Sequence, residues 1–319
     1  MKLAVIIGIF LGFVGASVWL LSPVSRQSQP GVFAVPEKVE DFDVVQKLEE
    51  GKFIRNAPAF RLLLGVFASG KPIDPGGYRL DPAMNAWQVL QKVTADPELL
   101  WVTVSGCRRK EEIADLIDQT IGWTDDTLNK WVDAYRDLGD EYVEGVYYPD
   151  TYLIPKDATG TDVANMFINR FNEEFSPLAD IFIRQNIKWT TGLKIASLIA
   201  REAAGESDMN LISGIIWNRL DRGMKLEVDA TMQYTKGRRE DGSWWGGIDL
   251  AEKRNDSLYN TYLHTGLPPT PICSPGIDAI TAVLEPEETD CFYYLHDRNK
   301  QIHCAETYGE HKANIQEYL

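Results

Sequence analysis

The chain opens on an unbroken apolar run, residues 3 to 21, LAVIIGIFLGFVGASVWLL, before apolar and polar positions begin to alternate. An uncharged run of this length matches the thickness of a bilayer core when it is helical. Gly15, Ala16 and Ser17 are small enough for signal-peptidase cleavage, but Val18, Trp19, Leu20 and Leu21 carry the run past them, so the pattern predicts an uncleaved anchor. With Met1 and Lys2 short and cytoplasmic, the remainder lies outside the membrane, although Lys2 against Arg26 is a thin charge bias for that orientation. No later run is comparable, which makes a single pass. Residues 1–22 are therefore read as the anchor and 23–31, polar and proline-containing, as a linker that stands the globular part off the membrane.

Beyond the linker, helical and strand periods mix. In residues 32–98, DFDVVQKLEEG reads as an amphipathic helix capped by Asp41, PAFRLLLGVFASG as a second helix, PGGYRL as a turn entering a short strand, and NAWQVLQKV as a third helix. That mixture suits a compact α+β module. Residues 99–319 form a larger mixed unit. LLWVTVSG opens it as a strand, and EEIADLIDQTIG continues as a helix. In EGVYYPDTYLIP a Pro149-Asp150 turn puts Tyr148, Asp150 and Thr151 at an edge or cleft mouth, with aromatic packing beneath a loop as the equal alternative.

The stretch KIASLIAREAAGE poses the sharpest question. Ile195, Leu198 and Ile199 lie seven, four and three positions before Glu202 and share its helical face, so a carboxylate points with the apolar side. Such a group must be paired, neutralised by a raised pKa, or set in a cleft wall. A structural ion pair would satisfy the same pattern. Glu206 lies one turn on, but Gly205 is the expected helix end, so a solvated or capping role fits it better. The next helix, SDMNLISGIIWNRLDRG, has Ser207 or Asp208 as its cap and ends at Asn218 and Arg219. MKLEVDATMQY and SLYNTYLHTGLPPTPICSPG follow, loops whose rigid prolines and glycines suit a substrate platform, and then the helix IDAITAVL.

Composition refines this picture only slightly. The 319 residues are 44% hydrophobic and 25% charged, a globular composition, and the formal net charge of −15 argues against a nucleic-acid partner. Cys107, Cys273, Cys291 and Cys304 sit where disulfides persist, and neither they nor the four histidines make a zinc spacing, so neither a metal nor a cofactor is expected. If Asp297 and Arg298 form a two-residue turn in CFYYLHDRNKQIHC, Cys291 falls opposite Cys304 and a cross-strand bridge is plausible. Two unpaired cysteines remain the alternative, and the rest of the pairing is open.

The segments PGGYRL, EGVYYPDTY, IASLIAREAA, IIWNRLDRGMKLEVDATMQY, YNTYLHTGLPPTPICSPG and TYGEH, together with the apolar start, resemble the endolytic murein transglycosylases, the YceG-like family. The resemblance implies a membrane anchor, a small LysM-like module and a catalytic domain that cuts peptidoglycan glycan strands and limits nascent strand length, with peptidoglycan synthases as partners. Glu202 matches the family's catalytic acid; a second acid often found two places earlier is Ala200 here. The Leu-Gln-x-Asp-Pro-Thr pattern reads Leu226 to Thr231 with Glu227 and Ala230 replacing Gln and Pro. Ser105, Gly106 and Cys107 stand where a Pro-Glu-Gly is usual, and Ile302 stands where a histidine is expected, with His303 one place off.

The expected chemistry follows. Glu202 protonates the oxygen bridging MurNAc and GlcNAc, then takes the proton of the sugar's own 6-hydroxyl as it attacks the anomeric carbon. Asp229, Thr231, Tyr259, Asn260, Thr261 and Tyr262, with Tyr148, Asp150 and Thr151, are the candidates for holding substrate. Asp229 is also placed to cap a short helix, and Asn218 and Arg219 are candidate structural residues. Two alternatives stay open: a hydrolytic muramidase with Asp229 as second carboxylate, and a non-catalytic glycan-binding scaffold.

Overall fold

The computed structural model describes residues 15, 18–38, 42–134 and 144–319. The apolar run 3–21 and Asp41 therefore lie largely outside the described residues, and among these no helix is long and apolar enough to cross a membrane. The chain divides into two compact units, residues 1–102 with 151–158, and residues 103–150 with 159–319.

The first unit begins with β1 (Gly31–Val35), followed by α1 (Val44–Glu50), α2 (Ala57–Phe67), β2 (Gly76–Leu80), α3 (Ala86–Val93) and β3 (Leu99–Thr103). The cap of α1 is Asp43, whose carboxylate accepts the Gln46 amide, and Asn56 and Asn85 cap the next two helices in the same way. Strand β1 pairs antiparallel with β2, Phe33 opposite Tyr78. The sheet runs β1-β2-β3-β4, where β4 is Thr151–Pro155. Both β3, expected to open the second unit, and β4 thus complete the first unit's sheet. Val35, Leu48, Tyr78, Leu80, Val89 and Val93 are wholly buried between sheet and helices. Sequence order alone does not reveal this closure, because strand pairing is non-local.

Residues 22–30 do not form a free spacer. The Arg55 guanidinium donates to the carbonyl oxygens of Pro23, at 2.6 Å, and Val24; the Ser25 amide donates to Pro82, and Ser28 and Gln29 donate to the Asp81 carboxylate.

The second unit is mainly helical: α4 (Lys110–Ile121), α5 (Asp125–Asp133), α6 (Gly160–Arg184), α7 (Trp189–Glu202), α8 (Met209–Asp221), α9 (Asp229–Lys236) and α10 (Ile277–Leu284), then the hairpin β5 (Tyr293–His296) and β6 (Ile302–Ala305), and finally α11 (Tyr308–Tyr318). Helices α7, α8 and α10 pack together through Ile195, Leu198, Ile199, Ile212, Ile215 and Ile280, all fully buried. At Gly192 a side-chain carbon would stand 2.3 Å from the Phe182 ring, so only glycine admits this close approach of α6 to α7. Ser197, turned inward on α7, accepts the Ile272 amide at 3.1 Å and fixes the PTPICSP loop against that helix.

Two disulfides close this unit, Cys107–Cys273 and Cys291–Cys304. The hairpin differs from the two-residue turn expected: Tyr294 pairs with Cys304 and His296 with Ile302. Asp297 causes the longer turn, because its carboxylate accepts the amides of Asn299 and Gln301 while Lys300 adopts φ +65°. Cys291 sits just before β5, where the Phe292 amide donates to Ala305, and still reaches Cys304 with Cα atoms 5.9 Å apart.

The Cys107–Cys273 bridge spans 166 residues and Cys291–Cys304 spans 13. Chain entropy alone makes the first worth about 5 kcal/mol and the second about 3. Denaturant unfolding of a Cys107→Ala/Cys273→Ala double variant should therefore show the larger loss, and a Cys291→Ala/Cys304→Ala variant the smaller.

Candidate active site

Helix α7 ends at Glu202, three residues before the end expected at Gly205, and Asp208 supplies the reason. Asp208 occupies the cap position of α8, but its carboxylate turns back to accept the amides of Ala204 and Gly205, at 3.0 and 3.2 Å, and contacts His296 Nε2 at 2.6 Å. The chain is pulled out of the helix directly after Glu202. That leaves the glutamate on the last turn, with Ile195, Leu198 and Ile199 behind it.

Glu202 lines a cavity of about 260 Å³ together with Arg219, Leu226, Glu227, Tyr262, Tyr293, Tyr294, Tyr308 and His311. The Tyr294 hydroxyl donates to Glu202 Oε2 at 2.7 Å. Burial pushes the carboxyl's pKa up; the Tyr294 hydrogen bond pulls it down, the nearby Asp229 charge raises it, and His296 and Arg201 lower it, with the rise winning. Tyr294 itself is held neutral, its pKa far above the ordinary value because of burial and the carboxylate it faces.

A raised pKa does not by itself mark the site, as Glu144 demonstrates. Burial lifts that carboxyl to about 8, but it is 1% exposed and spent on the amides of Lys110 and Gly145. A larger groove of about 510 Å³, lined by Phe175, Phe182, Ile183 and Trp189, has no acid in its wall. Of these two carboxyls raised by burial, Glu202 is the one that lines a cavity.

The other residues singled out from the sequence divide sharply. Tyr262 lines the cavity, its hydroxyl donating to Asp229 and accepting from Lys253 Nζ at 2.7 Å, while Lys253 also pairs with Asp229 at 2.9 Å. Asp229 begins α9 without capping it; Val228 is the cap residue. Thr231, Asn260 and Thr261 are buried and serve the backbone. Asn260 donates to the carbonyls of Lys253 and Asn255, Thr231 donates to Val228, and Thr261 Oγ1 accepts the Val228 amide at 2.9 Å. The Thr261 carbonyl accepts the Glu227 amide at 3.1 Å, and Glu227, held at φ +56°, a left-handed conformation costing about 1 kcal/mol, lines the cavity. The Tyr259 hydroxyl bonds Thr270 at 2.8 Å and its ring packs on Tyr234. Tyr148 and Asp150 meet Arg170 of α6, and Thr151 lies on β4 in the first unit.

Sequence reasoning did not single out Tyr293, Tyr294, Tyr308 and His311 as site residues. Tyr308 and His311 stand three apart on α11, and His311 stacks on Tyr293 with centroids 5.5 Å apart. Its Nδ1 is buried without a partner among the described residues, and burial lowers its pKa. The signal available was that spacing in TYGEH. Asn218 and Arg219, expected as structural, hold the hairpin that delivers Tyr294: Asn218 donates to Thr289 and Cys291, and Arg219 to Phe292 and Leu226. Among the described residues no cluster fit for a metal ion occurs.

The pKa of Glu202 sets a testable linkage. Because the folded-state value lies above the ordinary 4.5, the protonated acid stabilises the fold fully below that pH, and the contribution is lost as pH rises through the folded value. Glu202→Gln should match the wild type in stability at low pH and exceed it near neutrality, read from unfolding free energies across pH. In a Tyr294→Phe background the same difference should extend to higher pH, because the phenol's hydrogen bond favours the anion.

Comparison with known proteins gives the family. Residues 33–317 match the YceG-like family. An endolytic murein transglycosylase of Bacillus subtilis is 26% identical over 94% of this chain and 88% of its own length. One of Streptococcus pneumoniae is 30% identical over 58% of this chain and 34% of its own length. The crystal structure of a putative YceG-like protein of Listeria monocytogenes superimposes with a TM-score of 0.59 over 90% of this chain and 99% of its own, at 23% identity, a likeness of fold. A family match running from β1 into α11 includes the Glu202 helix and every residue of its cavity, and the chain belongs to the YceG-like family.

Proposed function

We propose that this protein is a lytic transglycosylase that cleaves the MurNAc–GlcNAc bond inside peptidoglycan glycan strands and leaves a 1,6-anhydroMurNAc end. The observation that carries the reading is Glu202, a carboxyl whose pKa is raised by burial, opening on a cavity walled by tyrosines. The naming of the B. subtilis and S. pneumoniae relatives supports the same class.

The chemistry needs Glu202 protonated first. Its other oxygen, Oε1, gives its proton to the bridging oxygen while positive charge grows at the MurNAc anomeric carbon, and the Tyr294 hydroxyl on Oε2 steadies the new carboxylate. That carboxylate then removes the proton of the 6-hydroxyl, whose oxygen closes on the anomeric carbon. No water is consumed and Glu202 ends protonated, ready for another cycle. Tyr262, Tyr293, Tyr308 and His311 offer ring faces for the sugars. Asp229, engaged by Lys253 and Tyr262, braces the Tyr262 wall; its pairing favours that role over water activation. Thr231, Asn260 and Thr261 act through the backbone, and Tyr148, Asp150 and Tyr259 are engaged by Arg170 and Thr270.

The N-terminal run 3–21 is read as an inner-membrane anchor with both units extracytoplasmic, a location in which the two disulfides persist. A LysM-like role for the first unit rests on its strand–helix–helix–strand order, β1-α1-α2-β2. Limiting nascent strands beside peptidoglycan synthases is the biological consequence of endolytic cutting at the membrane.

Mass spectrometry of purified glycan strands incubated with the full-length chain tests the mechanism. Products should lack added water and end in 1,6-anhydroMurNAc. Glu202→Gln should abolish cleavage, while Asp229→Asn should keep substantial activity, since loss of a water-activating base would cost about 10²–10⁴ in rate. Reducing-end MurNAc together with an inactive Asp229→Asn variant would establish a hydrolase instead.

A further inference from the structure

The first unit carries an apolar face that its own core does not use. On α2, Pro58, Leu62, Gly65 and Val66 are exposed at spacings of three and four, with Arg61, paired to Asp43, at the edge of the same side. Leu62 is 71% exposed, Val66 64% and Phe67 61%. Phe67 packs edge-on against the half-exposed Trp87, ring centroids 5.0 Å apart. Trp87 follows Ala86, whose amide donates to the carbonyl of Leu21 at 2.9 Å. Leu21 is the last residue of the apolar run 3–21, so the end of that run is hydrogen-bonded into the unit beside this face. Trp19, exposed, lies under the Arg55 guanidinium at 5.2 Å. Apart from Val32, every large apolar side chain exposed among the described residues of this unit belongs to this set or is Val18.

Two further observations decide what covers the face. Arg55 grips Pro23 and Val24, and Asp81 grips Ser28 and Gln29, so no slack chain separates the unit from the end of the run. Indole rings at the end of an apolar span belong at the depth of lipid headgroups, and a helix with one apolar outer face lies in that same layer. The net charge of −15 supplies no general attraction to anionic lipid, which leaves apolar contact as the cause of binding.

We propose that the outward face of α2, with Phe67, Trp87 and Trp19, rests in the headgroup layer of the bilayer, so that the first unit lies on the membrane surface instead of standing off on a stalk. This rests on the reading of residues 3–21 as an anchor.

The test uses the full-length chain with Val66→Cys, labelled with an environment-sensitive fluorophore and reconstituted in phosphatidylcholine vesicles that carry a quencher near the headgroup. Asn299→Cys, on the β5–β6 turn, reports the dye's own affinity for lipid. The Val66 label should emit as in an apolar medium and be quenched roughly threefold more than the Asn299 label, with no loss at high salt. Water-like emission, equal quenching of the two labels, or apolar emission without lipid quenching, each from chains that co-sediment with vesicles, would overturn the proposal and leave the anchor standing. Chains that fail to co-sediment would overturn both.

Discussion

The second unit is organised around a carboxyl that water does not fully reach. Glu202 ends α7 with Ile195, Leu198 and Ile199 behind it, and the Tyr294 hydroxyl is its hydrogen-bond donor. Burial favours the neutral acid and the phenol favours the anion. In the proposed reaction Glu202 releases a proton and then recovers one, and the two opposed influences serve those two steps.

Much of the surrounding structure keeps that pair in register. Asp208 ends α7 at the required residue by taking the amides of Ala204 and Gly205, and it also meets His296, two positions beyond Tyr294 on the same strand. One carboxylate thus links the helix that carries the acid to the hairpin that carries its partner. Arg219 and Asn218 hold the start of that hairpin through main-chain carbonyls, and the Cys291–Cys304 bridge closes its base. These are buried polar groups with their partners supplied, the condition under which such networks fix a geometry. Across the cavity, Lys253, Asp229 and Tyr262 brace one another, and Thr261 presents Glu227.

Local pattern made part of this legible in the sequence. The three-and-four spacing before Glu202 revealed its face, and the helices of the first unit fall close to where their periods put them. Asp229 and Tyr262 could be associated with the site because the segments Leu226 to Thr231 and Tyr259 to Tyr262 resemble those of the family. What the pattern missed depends on distant pairing. Gly205 reads as the helix end, but Asp208, the cap residue of the next helix, acts earlier. Thr231, Asn260 and Thr261 looked like sugar ligands, yet their side chains satisfy backbone groups that no local rule identifies. Tyr294 required the hairpin register, and the Asp297 turn, longer than the two residues expected, set it. Closure of the first unit's sheet by β3 and β4 was likewise invisible, since nothing local states that residues 151–155 return to it.

The proposed chemistry depends most directly on the protonation state of one side chain. Carbon-detected NMR titration of the Glu202 carboxyl in the intact protein, assigned by its loss in Glu202→Gln, would measure it. The account predicts a midpoint above the ordinary glutamate value of 4.5, with the resonances of Tyr294 responding over the same pH range. A midpoint at or below that value would mean that Glu202 is ionised before any substrate arrives, and would contradict its role as the acid.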